Sequence, residues 1–258
     1  MTLEVLLSCM HEKDLSLISQ SNLNQIHTLL INQCDVDVDE MIISNQLHRM
    51  LKTKTRGLSV SRNLALANAH GDICLISDND EIFVNNLEEK ILSAYEKHPL
   101  ADIIIFKVSN RPKKLGNKAR KLKRWDIFRI SSWQISFKLS SVKGKVSFDE
   151  NLGAGTGNGA GEENHFLLDC YKQGLKMYYV PLEIAELRES ESTWFRGFDK
   201  KYFYQLGATT RYNWGAFTSF LYAFYFSFTK KKLYAGSIST WNALKQSIKG
   251  VIENPLKK

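Results

Sequence analysis

The sequence predicts an α/β protein: a doubly wound, mostly parallel sheet flanked by helices, with a helical, aromatic-rich C-terminal extension. Three observations carry that reading. Short, nearly continuous apolar runs at residues 3–9, 25–34, 73–77 and 102–108 have the look of strands buried on both faces. Segments with helical spacing of apolar residues separate them, and a βαβ alternation places parallel strands in one sheet. After residue 205 the pattern changes to an uncharged aromatic run, residues 214–228, followed by Lys230-Lys231-Lys232.

A chain of 258 residues makes one large or one-and-a-half domains, long enough to bury a full core. With 43% hydrophobic and 24% charged residues and no repeat or low-complexity tract, it is neither disordered nor fibrous. The net charge of +8 implies a surface that attracts anions, whether nucleotide, acidic lipid or nucleic acid. Cys9, Cys34, Cys74 and Cys170 are widely separated and lack metal-site spacing, which suits small apolar residues in a reducing compartment. The first apolar run is short and has no basic flank, so no signal peptide is expected and the main body of the chain is expected to be cytoplasmic.

In order, residues 3–9 form the first strand, ending at Met10-His11-Glu12, with His11 read as an exposed loop residue. Residues 25–34 form the second, ending at Asp35. A short apolar run, Met41-Ile42-Ile43, precedes a basic segment with Arg49, Lys52, Lys54 and Arg56. The next helix is expected to be capped by Ser59 or Ser61, with Val60, Leu64 and Ala67 on its inner face. Arg62 falls in its first turn, where a cation works against the helix dipole. A residue placed against its local preference hints at a role, here pairing with a carboxylate or reaching a phosphate.

Residues 73–77 then make a buried strand bounded by Gly71, and its end delivers Asp78 and Asp80. Ligands sit at strand ends in open α/β sheets. Two carboxylates there can hold a hard divalent cation, which can in turn hold a diphosphate. Asp-Asn-Asp is also an ordinary turn, so the flanking segments must decide. A helix over 86–97 and a strand over 102–108 follow. Residues 111–124 carry eight basic residues and no acidic one, but no nucleic-acid recognition motif; a solvated, mobile loop near an anionic ligand or membrane is expected. Residues 125–138 alternate as one or two strands, with Trp133, Ile135 and Phe137 on one face. Five glycines between 153 and 161 form a closely approachable loop. No lysine follows them, and Glu162-Glu163 repel phosphate, so this is not a phosphate loop. The glutamates open a helix running to Gly174.

Gly57-x-Ser59-x-x-Arg62-Asn63, Gly71-Asp72-Ile73 and Asp78-Asn79-Asp80, in that order, resemble the signatures of family 2 glycosyltransferases of the GT-A fold. The resemblance covers residues 1 to about 200. It implies a catalytic domain over 1–205, with a nucleotide-binding half (1–108) and an acceptor-binding half (109–205), and an extension over 206–258. It further implies that Asp80 binds Mn²⁺ or Mg²⁺, with Asp78 on the metal or the ribose. Gly57, Ser59, Arg62 and Asn79 would lie on the donor side. Ser8 and Met10 would form one wall of the base pocket, and Asn32, Gln33 or Asp35 the other. Where the family holds Gly-Glu-Asp, ending in its catalytic base, this chain has Gly161-Glu162-Glu163. That alignment favours Glu163 as base and leaves Glu162 to orient the acceptor or a neighbouring side chain. Residues 125–138 correspond to an acceptor-side strand, and residues 190–197 resemble a segment of capsule and O-antigen members. Some relatives carry a histidine metal ligand just before it, where this chain reads Glu186-Leu187-Arg188-Glu189.

The implied activity is metal-dependent, inverting transfer from a nucleotide-sugar donor, UDP-linked by expectation, to a lipid-linked glycan. The rival enzyme, a sugar nucleotidyltransferase, calls for a glycine-rich phosphate loop after the first strand, and Ser8-Cys9-Met10-His11-Glu12 is not one. A non-catalytic membrane or nucleic-acid module has no use for the ordered glycine, arginine and acid signature. No nucleic-acid partner is expected. The aromatic run is shorter than the roughly 20 residues of a spanning helix. Residues 214–232 either pack as core or lie in a membrane interface with lysines on head groups, and the second reading is preferred. It places the enzyme peripherally on the inner face of the cell membrane.

Overall fold

The computed structural model describes residues 1–110, 115–156, 158, 161–188 and 197–256. The chain forms two compact units, one of residues 1–148 and 166–190, the other of residues 149–165 and 191–258. Residues 189–196, including most of the segment likened to capsule enzymes, lie outside the described residues, as do 111–114 of the basic run and 157, 159 and 160 of the glycine loop.

The first unit is built on β1 (Leu3–Met10), α1 (Ser16–Gln20), β2 (His27–Gln33), β3 (Glu40–Ile43), β4 (His48–Thr53), α2 (Leu58–Asn68), β5 (Ile73–Asp78) and β6 (Glu81–Phe83). It continues with α3 (Leu87–Lys97), β7 (Ile103–Val108), β8 (Arg120–Lys121), β9 (Ile135–Lys138) and α4 (Leu139–Val142). Helix α5 (Glu162–Lys172) starts in the other unit's sequence, and β10 (Met177–Leu187) closes the sheet. The ten strands form a mixed, mostly parallel sheet in the order β3-β4-β2-β1-β5-β9-β7-β10-β6, with β8 on β10. Pairs β1–β2, β1–β5, β2–β4 and β7–β10 are parallel. Leu3, Val5 and Leu7 of β1, Leu75 of β5 and Phe106 of β7 are sealed from solvent, as continuous apolar strands require.

Several expectations need correction. Residues 125–138 are not one or two full strands. Two 3₁₀ turns precede a four-residue β9, which runs antiparallel between β5 and β7. Part of the basic run is ordered: Arg120–Lys121 pairs with β10, and Asp126 accepts two bonds of 2.8 Å from the Arg120 guanidinium. Helix α2 is capped by Gly57, at φ 108°, and not by a serine. Its buried face is Ser59, Ser61, Arg62, Ala65 and Leu66, while Ala67 is exposed. The helix is rolled so that polar residues reach the strand ends, and that need overrides the apolar stripe.

The second unit holds α6 (Lys200–Trp214), α7 (Ala216–Thr229) and α8 (Thr240–Glu253). Asp199 and Ser239 cap α6 and α8 by accepting the Tyr202 and Asn242 backbone N–H. Gly207 and Gly250 let α6 and α8 touch backbone to backbone: a Cβ at Gly207 would lie 2.0 Å from the Ser247 carbonyl oxygen. Phe203 and Tyr234 form the centre of an aromatic cluster with Phe198, Tyr202 and Phe226. Among the described residues, no helix is long and apolar enough to cross a membrane.

Candidate active site

In the first unit, β1 and β5 run side by side with Ser8 opposite Asp78, so both reach the same C-terminal edge of the sheet. Helix α2 is tied to that edge by Ser61 and Arg62, and to a following loop by Asn63. The Ser61 hydroxyl donates to Ser8 Oγ at 2.8 Å. Arg62 Nη2 donates to both Asp78 oxygens at 3.0 and 3.2 Å, with its side chain 2% exposed. Asn63 clamps the Phe148 backbone, donating to its carbonyl and accepting its N–H at 2.9 and 2.8 Å. The Ser132 hydroxyl donates to Asp78 Oδ2 at 3.1 Å, and the Phe148 ring lies 5.5 Å from the Arg62 guanidinium. A buried arginine needs a partner of this kind, because unpaired burial of its charge is costly. Arg62 is therefore placed against the helix dipole by Asp78.

Gly71, just before β5, has a structural task. The buried Glu4 carboxylate accepts the backbone N–H of His70 and Gly71 at 2.6 and 2.9 Å and a bond from Arg49 at 2.6 Å. A Cβ on Gly71 would lie 2.6 Å from Glu4 Cβ. The strand is thus held at its entry while its exit presents the turn Asp78-Asn79-Asp80.

In that turn, Asn79 is exposed and Asp80 half-buried. Arg188, at the end of β10, donates from its backbone to the Asp80 carbonyl at 2.7 Å and from its guanidinium to the Asn79 carbonyl at 2.8 Å. The position read as a missing histidine ligand is thus a brace for the turn. Next along the chain, Glu81 is completely buried; burial first, and the Asp78 charge second, hold its carboxyl well above the usual range.

The predicted base-pocket residues divide. Asn32 is buried and exchanges bonds with the Glu12 backbone at 3.0 and 2.7 Å, and Gln33 donates to the Gly57 carbonyl at 3.2 Å. Both hold loops. Met10 is 49% exposed, and Asp35 is paired with Arg56 at the surface.

In the second unit, Gly161 at φ 117° precedes α5, and a Cβ there would lie 2.6 Å from Thr209 Cγ2. Glu162 is buried and accepts its neighbour's Gly161 N–H at 3.0 Å, whereas Glu163 is half-buried. Around the start of α5, Asn213 donates to the Gly161 carbonyl at 3.2 Å, and its amide oxygen lies 2.8 Å from His165 Nδ1. His165 stacks on Tyr212 at 5.0 Å, and the Tyr212 hydroxyl donates to Asp149. Although burial pulls it up, bonds from Tyr212 and Asn151 hold the Asp149 carboxyl below the ordinary range.

Residues 15–151 match the family model described as glycosyl transferase family 2, more than half of the chain. The chain belongs to that family. No curated protein matches it significantly by sequence. Among solved structures, it resembles S. aureus TarS 1–349 in complex with UDP-GlcNAc at TM-score 0.62 and 16% identity, over 97% of this chain and 82% of that one. It also resembles GalNAc-T7 with UDP, GalNAc and Mn²⁺ at TM-score 0.58 and 14% identity, over 95% of this chain and 54% of that one. These likenesses establish the GT-A fold of this transferase.

Sequence reading missed Ser132, Arg188 and the Asp149–Tyr212–Asn213–His165 group. Arg188 lay in a stretch read only for a histidine. Tyr212 and Asn213 are more than 45 residues from His165, which they brace, and nothing local signals the contact.

Proposed function

We propose that this transferase is metal-dependent and inverting, moving a sugar from a UDP-linked donor to a hydroxyl of a lipid-linked glycan. Its setting would be bacterial surface polysaccharide synthesis of the capsule or O-antigen kind, at the inner face of the cell membrane. Residues 1–108 would form the nucleotide-binding half, 109–205 the acceptor-binding half, and 206–258 the extension. The observation that carries the proposal is the Arg62–Asp78 pair, which fixes the exit of β5 and leaves Asn79-Asp80 at the sheet's C-terminal edge. The ligands named for TarS and GalNAc-T7 support a UDP-sugar donor and a divalent ion.

Among the described residues, no group of three or more His, Cys, Asp or Glu side chains is arranged to hold a metal. Mg²⁺-type sites commonly use one or two carboxylates, with substrate phosphates and water completing the shell. The donor set fits that pattern, with Asp80 as the principal ligand. Asp78, whose oxygens receive Arg62 and Ser132, acts mainly by holding the turn. When bound, the ion offsets charge on the leaving diphosphate. Ser8, Met10 and Asp35 line the nucleoside side, with Asn32 and Gln33 behind them holding the loops. Gly57 and Ser59 set the start of α2, from which Arg62 reaches Asp78.

Glu163 is the base. An acceptor hydroxyl is a weak nucleophile at neutral pH, so its proton passes to a carboxylate as its oxygen bonds the anomeric carbon and the bond to the diphosphate breaks. Adjacent helical residues project about 100° apart, so the two glutamates face differently. The alignment of Gly161-Glu162-Glu163 with Gly-Glu-Asp supports Glu163 in this role, with Glu162 orienting the acceptor or a neighbouring side chain. A donor-hydrolysis screen across nucleotide sugars, with and without Mn²⁺, tests the proposal. Turnover of a UDP-sugar that stops in EDTA is expected. Hydrolysis of no nucleotide sugar, or none dependent on a divalent ion, would overturn it.

A further inference from the structure

Helix α7 wears its residues inside out. Its buried positions are Ser219, Ala223 and Ser227. Its outward positions are Phe217, Leu221, Phe224 and Phe228, which are 78%, 57%, 48% and 43% exposed. At about 100° per residue these four fall within about 60° of one another, a single stripe. Trp241 of α8, 71% exposed, extends the stripe by meeting Phe228 edge to face at 5.7 Å. Tyr225, 50% exposed, flanks it. Small side chains on the inner face let the helix sit close to its own unit, so the outward aromatics are not displaced core.

Charge says what covers this face. Residues 200–258 contain ten Lys and Arg and one acidic residue, Glu253, whereas residues 1–199 contain 25 and 26. The whole positive excess of the chain therefore belongs to this segment. Lys230, Lys231 and Lys232 are all exposed directly beyond the stripe, and Lys230 Nζ lies 5.8 Å from the Tyr225 ring. Lysine is depleted from protein–protein interfaces, and a second copy would bring like charges together. Phe, Tyr and Trp beside lysines suit the boundary between acyl chains and anionic head groups. With 14 residues, α7 is about 21 Å long, too short to span a bilayer but able to lie in its surface.

We propose that the α7 stripe with Trp241 embeds in an anionic lipid surface, with Lys230–Lys232 on its head groups. This goes beyond the proposed reaction and stands whether or not the chain transfers a sugar.

The test is flotation of the full chain with vesicles of phosphatidylcholine, with and without phosphatidylglycerol. The chain is expected to float with the anionic vesicles and to be released by salt. Together, Lys230→Gln, Lys231→Gln and Lys232→Gln should weaken binding roughly 10²-fold, about 5-fold for each lysine. Phe217→Ser, Phe224→Ser and Phe228→Ser combined should abolish flotation, with far-UV circular dichroism and UDP affinity unchanged. If the phenylalanine variant misfolds, the lysine variant decides. Absence of flotation, equal binding to neutral vesicles, or unchanged binding by a folded variant would overturn the inference. So would a wild-type dimer that the phenylalanine changes convert to monomer without vesicle binding, which would mark a protein interface.

Discussion

Helix α3 of the first unit and helix α7 of the second face opposite ways. In α3, Leu87, Ile91, Ala94 and Tyr95 are buried, Glu88 and Glu89 lie in the first turn, and Lys97 lies in the last. That is the arrangement water favours, with the macrodipole complemented at both ends. In α7, Ser219, Ala223 and Ser227 are buried and Phe217, Phe224 and Phe228 exposed, with no charge along its length. Residues 1–199 also nearly balance their charge, whereas residues 200–258 are strongly basic. One unit is organised to hold a strand end in place. The other is organised around what covers it. The contrast suggests that donor binding and surface attachment are separable.

The largest effect should come from Glu163→Gln, which keeps the shape of the proposed base and removes its proton affinity. Transfer should fall roughly 10²–10⁴-fold with UDP affinity intact in calorimetry. Glu162→Gln should leave more activity; the reverse order would move the role to Glu162. Either result sharpens the division, because the change lies in the second unit and should spare donor binding in the first.

Arg62→Ala should do the opposite. It leaves the partly buried Asp78 carboxylate without its cation, at a cost of about 2–4 kcal/mol, below that of a fully enclosed pair because Asp78 is part-exposed. Urea denaturation should show this loss, and UDP binding should weaken while the folded variant still binds anionic vesicles. If vesicle binding fell in parallel, the units would not be separable.

Gly71→Ala should cost about 1–3 kcal/mol, since the new methyl would collide with Glu4 at the β5 entry. The same denaturation series reads it, and a neutral result would show that this entry is not tightly held.

Glu81→Gln is read by thermal melting in EDTA across pH. The folded state keeps this proton above the ordinary carboxylate pKa, so it binds more protons than the unfolded chain. Stability from Glu81 is then fully present below the unfolded pKa and declines as pH rises toward the raised folded value. Glutamine carries no such proton. The variant should match wild type near about pH 4 and melt higher at neutral pH. Parallel pH profiles would contradict a raised Glu81 pKa.

The first strands, the donor-side helix and the Asp78-Asn79-Asp80 turn were legible because each is written locally, in an apolar run or an ordered signature. The inner face of α2 was not. Apolar spacing pointed to Val60, Leu64 and Ala67, but Ser61 and Arg62 had partners on distant strands that turned the helix toward them. The two-residue β8 and four-residue β9 were obscured because their pairing partners, not their own residues, define them. The tail was legible in composition only. Which of its aromatics point outward depends on the packing of α6 and α8 through Gly207 and Gly250.

The account rests on Asp80 holding a cation that in turn holds the donor diphosphate. Calorimetric titration of UDP into wild type and Asp80→Ala, each with Mn²⁺ and with EDTA, tests it directly. The account predicts tighter UDP binding with Mn²⁺ in wild type only, with Asp80→Ala folded and indifferent to the ion. Equal wild-type affinity in Mn²⁺ and EDTA would contradict it.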